Sequence, residues 1–123
     1  MSDKDEIILE KMIKYCEDSI KYINDMDFDS FSSDELVLTF SIFSLSQLGE
    51  LVTTLSEETK SKNSDIPWAA IKSIRNRIVH NYDGVQQRVI WDTLVGDIPS
   101  LIEQLRNIKT FLKKLTQNGK NAI

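Results

Sequence analysis

The apolar positions of this chain recur every three or four residues, the spacing that aligns them on one face of an α-helix. Residues 4–25 carry such a stripe in Ile7, Ile8, Met12, Tyr15, Ile20, Tyr22 and Ile23, which predicts a first helix. The stretch DMDFDSFSSDE that follows is rich in Asp and Ser. Those side chains compete for backbone hydrogen bonds, so it reads as a loop. A second helix is predicted over residues 34–56, with Ser32 or Ser33 as its N-cap. Leu36, Val37, Leu38, Phe40, Ile42, Phe43, Leu45, Leu48, Leu51, Val52 and Leu55 make it apolar on more than one side. Such a helix is central, or it faces both a core and a partner subunit.

The polar run EETKSKNSD, residues 57–65, reads as another loop. Ser64 or Asp65 then offers an N-cap, and Pro67 fits the first turn of a third helix running from Trp68 to about His80. Asp83-Gly84 reads as a stop and turn. A fourth helix over residues 86–95 carries Val89, Ile90, Leu94 and Val95 around Trp91. After Gly96 and Pro99, the rhythm Ile98, Leu101/Ile102, Leu105, Ile108, Leu112, Leu115 predicts a fifth helix to about Leu115. The tail from about residue 117 is expected to fray. No alternating strand pattern or internal repeat is visible. The expectation is an all-α protein, an up-and-down helical bundle of about four to five helices, with residues 1–123 forming one domain.

Composition narrows this picture. The length of 123 residues suits a single domain, and hydrophobic residues make up 41% of the chain, as in globular proteins. One Cys excludes a disulfide framework and a cysteine-rich zinc site, and one His excludes a two-His metal site within one chain. No metal and no cofactor are expected. Fifteen Lys+Arg against 19 Asp+Glu give a net charge of −4, which argues against general affinity for nucleic acid unless a local patch overrides it. The start, MSDKDEIILEKMIKY, lacks the apolar core of a signal peptide. No run approaches the roughly 18–20 apolar residues needed to cross a bilayer. A cytoplasmic protein without a membrane partner is expected.

The third helix carries the candidate chemistry. On a wheel of about 100° per residue starting at Trp68, Ile71, Arg75, Ile78, Val79 and Tyr82 fall within roughly 80° of Trp68 on one side or the other. Arg75 is therefore expected inside the apolar stripe, and Arg77 opposite it. A guanidinium in such a place needs a partner. It can snorkel, it can pair with an acid such as Glu50 on the second helix, or it can hold an anion or phosphate with its planar fork. His80 can cap the helix C-terminus, or it can exchange a proton near neutral pH. Tyr82 can pack beside Ile78. Together, Arg75, Asn76, His80 and Tyr82 form a kit adequate for metal-free phosphodiester cleavage: a phosphate-stabilising cation, an acid/base and two orienting groups. Between Lys72 and Arg88, four cations (Lys72, Arg75, Arg77 and Arg88) face one acid, Asp83, a locally positive strip.

At these residues the sequence resembles the HEPN superfamily, and more closely the HepT-like toxins of paired toxin–antitoxin systems. The motif Arg-x4-His-x-Tyr stands here as Arg75-Asn76-Arg77-Ile78-Val79-His80-Asn81-Tyr82. The likeness extends to Ile8-Leu9-Glu10, Leu48-Gly49-Glu50-Leu51, Ile66-Pro67-Trp68, Val89, Trp91 and Ile98-Pro99. Leu51 departs from the usual alanine after the Gly-Glu pair, a matter of local packing. The resemblance implies a HEPN-like bundle that forms a homodimer, bringing two motifs into one cleft, and a metal-independent endoribonuclease acting on RNA. It implies that Arg75 stabilises the scissile phosphate and His80 acts as general acid/base, with Asn76 positioning RNA or His80. It further implies that a nucleotidyltransferase antitoxin adenylylates Tyr82. A reading from a different class is a non-catalytic module that binds a nucleotide or a nucleotidyltransferase. A purely structural bundle is a third, in which Arg75 serves stability alone.

Overall fold

The computed structural model describes residues 2–79 and 84–121. His80 and Tyr82 lie outside the described residues, as do Asn81 and Asp83. The first apolar stripe becomes helix α1 (Ser2–Ile23). A short helix α2 (Phe28–Ser33) precedes α3 (Glu35–Thr54), and a second short helix α4 (Glu57–Lys62) leads to α5 (Trp68–Val79). Helix α6 (Gly84–Asp92) passes through a π-helical turn (Thr93–Asp97) into α7 (Ile98–Asn121). There is no strand among the described residues, so the fold is all-α as the periodicity indicates.

Side-chain contacts set the directions of the long helices. Asp5, near the start of α1, bonds to Ser56 just past the end of α3, while Tyr22 near the end of α1 meets Phe40 edge-on at 5.0 Å. The two helices are thus antiparallel. Helix α7 also runs antiparallel to α1. Glu17 pairs with Arg106, Glu10 lies 3.7 Å from Lys109, and Thr116 donates to Glu6 at 3.5 Å. Helix α3 lies between α1 and α5. Leu9, Met12, Leu48, Leu94, Ile98 and Leu105 are fully enclosed in one hydrophobic cluster. Each such side chain contributes about 1.5–3 kcal/mol from burial.

Several expectations are corrected. Residues within DMDFDSFSSDE form α2, because Asp27 accepts from the Ser30 N–H at 2.8 Å while the Asp27 N–H donates to Ser30 Oγ at 3.0 Å, a reciprocal cap. Asp34, not Ser32 or Ser33, then caps α3 by accepting from Val37 N–H at 3.1 Å. The expected 57–65 loop contains α4, where Ser56 accepts from Thr59 N–H, with Glu57 and Glu58 in the first turn and Lys60 and Lys62 in the last. That charge order matches the helix dipole. Pro67 precedes the first helical residue of α5 instead of entering its first turn, and its carbonyl accepts from Ile71 N–H at 3.0 Å.

A further correction concerns Gly96 and Pro99, read as a break between two helices. The helical column continues through them. In the π turn the Ile98 N–H reaches back to the Thr93 carbonyl, one residue further than an α-helix allows. This shifted register accommodates a residue with no N–H to give. Burial of Leu94 and Ile98 on the core side holds the column in place.

Asp5 is an internal polar anchor. It is 3% exposed, and its carboxylate accepts from Ser56 N–H (3.1 Å), Ser56 Oγ (2.6 Å) and Thr59 Oγ1 (2.6 Å). Burial alone raises its pKa, but the Ser56 and Thr59 hydrogen bonds outweigh this and hold the carboxyl below its ordinary 3.8. At the other end of α4, the Trp68 indole N–H is shared by the Lys60 and Asn63 carbonyls at 3.1 and 3.0 Å. Helix α3 is long and apolar enough by composition to cross a membrane, contrary to the expectation that no run approaches this. Here Leu38, Leu45, Leu48 and Val52 along it are buried against the rest of the bundle.

Candidate active site

The site is built on α5, and α5 is placed by α3. Their backbones approach closely at Gly49. A Cβ at this position would stand 3.1 Å from the Ile71 carbonyl oxygen, 3.3 Å from that of Lys72 and 3.7 Å from Arg75 Cβ. Only a residue without a side chain permits that contact. Gly49 is the residue that reading by pattern missed. Its signal was a helix-weakening residue inside an apolar helix, where no turn was called for.

Arg75 leaves the seam at this point. Its Cβ lies beside Gly49, in keeping with its place in the apolar stripe, but its side chain is 56% exposed. Of the readings open for Arg75, snorkelling describes it: the root lies at the seam while the head reaches solvent. There NH1 of Arg75 pairs with Oε1 of Glu50, itself 45% exposed. Two of the alternatives, a snorkelling stem and an ion pair with Glu50, are thus realised together. An exposed pair of this kind adds about 0–1 kcal/mol to stability, too little to explain the arrangement as a structural brace.

Asn76, one residue on, is exposed. The structure therefore brings Arg75 and Glu50 together, with Asn76 exposed next to Arg75 in the chain. His80 and Tyr82 lie outside the described residues, so their geometry relative to Arg75 is carried by sequence spacing alone. The positive strip is weaker than the count of cations suggests. Arg75 is paired with Glu50, and Arg88 stands 4.6 Å over the Phe28 ring with Asp92 at 3.5 Å. Lys72 is exposed.

Clefts lie on two other parts of the bundle. One, of about 450 Å³, runs between Asp5, Thr59 and Asn63 and the Ile108, Phe111 and Leu112 side chains of α7. The other, of about 360 Å³, lies between Ile71 and Ile74 of α5 and the π turn.

Comparison with known proteins decides the family. The Ribonuclease HepT-like family matches residues 12–108, a span that includes Gly49, Glu50 and the whole Arg75–Tyr82 motif. The chain belongs to this family. Membership places it among the ribonucleases of the HepT type. A protein named "Putative RNase TTE0752" from Caldanaerobacter subterraneus subsp. tengcongensis is 34% identical over 100 residues, covering 81% of this chain and 89% of that one. "Putative RNase MJ0127" from Methanocaldococcus jannaschii is 32% identical over 116 residues, covering 94% and 90%. "Probable ribonuclease HepT" from Thermococcus cleftensis is 32% identical over 89 residues, covering 70% and 81%. No solved structure matches the chain.

Proposed function

We propose that this HepT-type protein is a metal-independent endoribonuclease toxin of a toxin–antitoxin pair, with a composite site built on Arg75-x4-His80-x-Tyr82. The observation that carries the reading is the solvent-facing guanidinium of Arg75, fixed by Glu50 on an open surface of a ribonuclease-family fold. Its planar fork suits the non-bridging oxygens of a phosphodiester. In the proposed reaction the RNA 2′-oxygen attacks the adjacent phosphorus, and a base takes the 2′ proton. The P–O5′ bond breaks, and the 5′-oxygen leaves with a proton from an acid. His80 supplies acid/base exchange and Arg75 stabilises the negative charge that develops on the non-bridging phosphate oxygens. The requirement for a 2′-OH accounts for RNA over DNA.

The reading includes a homodimer, since one chain holds one His80 and two-fold symmetry doubles it. Leu36 is 84% exposed, and Tyr22 and Phe43 are also exposed on the α1–α3 side, apolar surface of a kind that a second copy can cover. It also includes neutralisation by a nucleotidyltransferase antitoxin through adenylylation of Tyr82. A bulky anionic nucleotide there opposes RNA entry by sterics and like charge. A cytoplasmic setting, where RNA is met, belongs to the same proposal.

The test is RNA cleavage by purified protein in chelator, with His80→Ala as control. Cleavage that persists in chelator and disappears in a folded His80→Ala protein supports the proposal. Absence of cleavage of any RNA, with retained nucleotide or nucleotidyltransferase binding, supports the non-catalytic module instead.

A further inference from the structure

Glu50 sits where a stabilising residue has little to gain. Both it and Arg75 are about half exposed, and water screens an ion pair at such a position. Yet the local architecture is arranged to deliver it. Gly49 brings the α5 backbone against α3, so that the neighbouring residue on α3 reaches the guanidinium one turn beyond the contact. The contact uses one terminal nitrogen, NH1, and one carboxylate oxygen. A guanidinium has five N–H donors, so a one-nitrogen contact engages only part of the fork.

We propose that Glu50 is a positioning residue for the ribonuclease reaction: it holds the Arg75 guanidinium in a fixed orientation, with its remaining donors presented to the scissile phosphate. This deepens the ribonuclease reading above and rests on it. An unrestrained arginine on a helix surface samples many rotamers, and freezing it during the reaction costs entropy. Glu50 meets that cost in advance, because the charge-assisted contact orients the fork before RNA arrives. Glu50 takes no proton and touches no reacting atom.

The signature is a loss in kcat that passes through Arg75. Misplacement of a catalytic group by about 1 Å costs up to about 100-fold. Glu50→Gln, which keeps the shape and removes the charge, is expected to lower kcat by about 10-fold or more. Affinity for a 2′-O-methyl RNA, which cannot be cleaved, is expected to change less than threefold. Glu50→Asp keeps the charge on a shorter stem and is expected to recover part of the loss. In an Arg75→Ala background, Glu50→Gln is expected to do nothing further. Nitrogen-15 NMR of the arginine side chains reads the orientation without any turnover, and the restricted Arg75 guanidinium signal is expected to broaden or shift in Glu50→Gln.

Wild-type kcat in Glu50→Gln, or an equal loss in the Arg75→Ala background, overturns the proposal. So does tighter RNA binding with faster cleavage, which makes Glu50 a competitor of the phosphate. Failure of the ribonuclease reading looks different: wild type and His80→Ala are then equally inert. In that case an Arg75 signal unchanged by Glu50→Gln removes the positioning role as well, while a changed signal leaves Glu50 orienting Arg75 toward some other anion, and the catalytic part is refuted.

Discussion

Replacing Gly49 by alanine tests the helix contact on which the site depends. In an ordinary helix interior this change stabilises, since alanine is favoured over glycine by about 0.8–1.0 kcal/mol. At Gly49 the new methyl meets the Ile71 carbonyl oxygen at 3.1 Å and that of Lys72 at 3.3 Å. Both are backbone atoms of α5 and cannot rotate aside, so α5 as a whole must retreat by a few tenths of an ångström. Overpacking of this kind costs about 1–3 kcal/mol, and the net effect is a loss of about 1 kcal/mol. With an unfolding entropy of about 2.1 cal/mol/K per residue, that loss lowers Tm by about 4 °C for a chain of this size. Gly96 supplies the control. A Cβ there has nothing within 4 Å, so Gly96→Ala is expected to raise Tm by about 2–4 °C. Thermal unfolding followed by circular dichroism measures both. A Gly49→Ala protein that gains as much Tm as Gly96→Ala refutes the close-approach argument.

Other outcomes follow from the same geometry. Asp5 is held below its ordinary pKa of 3.8 by bonds from Ser56 and Thr59, so it stabilises the fold above that pH and loses this contribution as pH falls through its folded pKa. Denaturation midpoints measured from pH 6 to pH 2 should therefore fall less steeply below about pH 4 in Asp5→Asn, which should also be less stable at pH 6; an unchanged acid limb contradicts the assignment. Burial, with the Glu17 charge second, pushes the Cys16 thiol up to about 12. Native protein should accordingly resist thiol reagents at pH 8 and label fully once unfolded, and rapid native labelling would disprove enclosure. Arg75→Ala should lose RNA cleavage while Tm moves by less than about 1 kcal/mol equivalent, because its ion pair is exposed. Mass spectrometry after co-expression with a nucleotidyltransferase should find adenylate on Tyr82 and none on Tyr82→Phe; full neutralisation with Tyr82 unmodified sinks that mechanism.

The long helices were legible because each has enough turns for a stripe to repeat. The Ile98–Ile108 rhythm of α7 and the Leu38–Val52 face of α3 are of this kind. Helices α2 and α4 have six residues each, too few for periodicity to emerge. Their signals were caps, Asp27 with Ser30 and Ser56 with Thr59, made of the residue types that also mark loops. Gly96 and Pro99 misled for a related reason. They punctuate a chain judged locally, and here the buried Leu94 and Ile98 outweigh that preference. At the site, the wheel placed the root of Arg75 correctly against the neighbouring helix, and Glu50 was already among its candidate partners. Snorkelling was among the readings of Arg75, but the choice between it and an enclosed anion site was not legible, because it depends on how α3 and α5 pack.

The contacts of α4 give that short helix a meaning beyond its length. Asp5 grips its first turn through Ser56 and Thr59, and its far end grips the Trp68 indole through the Lys60 and Asn63 carbonyls. Trp68 is the first residue of α5, two turns before Arg75. Helix α5 is therefore located twice: sideways by the Gly49 contact and lengthwise by a latch whose other end is in α1. A substitution that slackens α4 is therefore expected to loosen the lengthwise hold on α5, and with it the register of Arg75 against Glu50, so that α4 bears on registry as well as on stability.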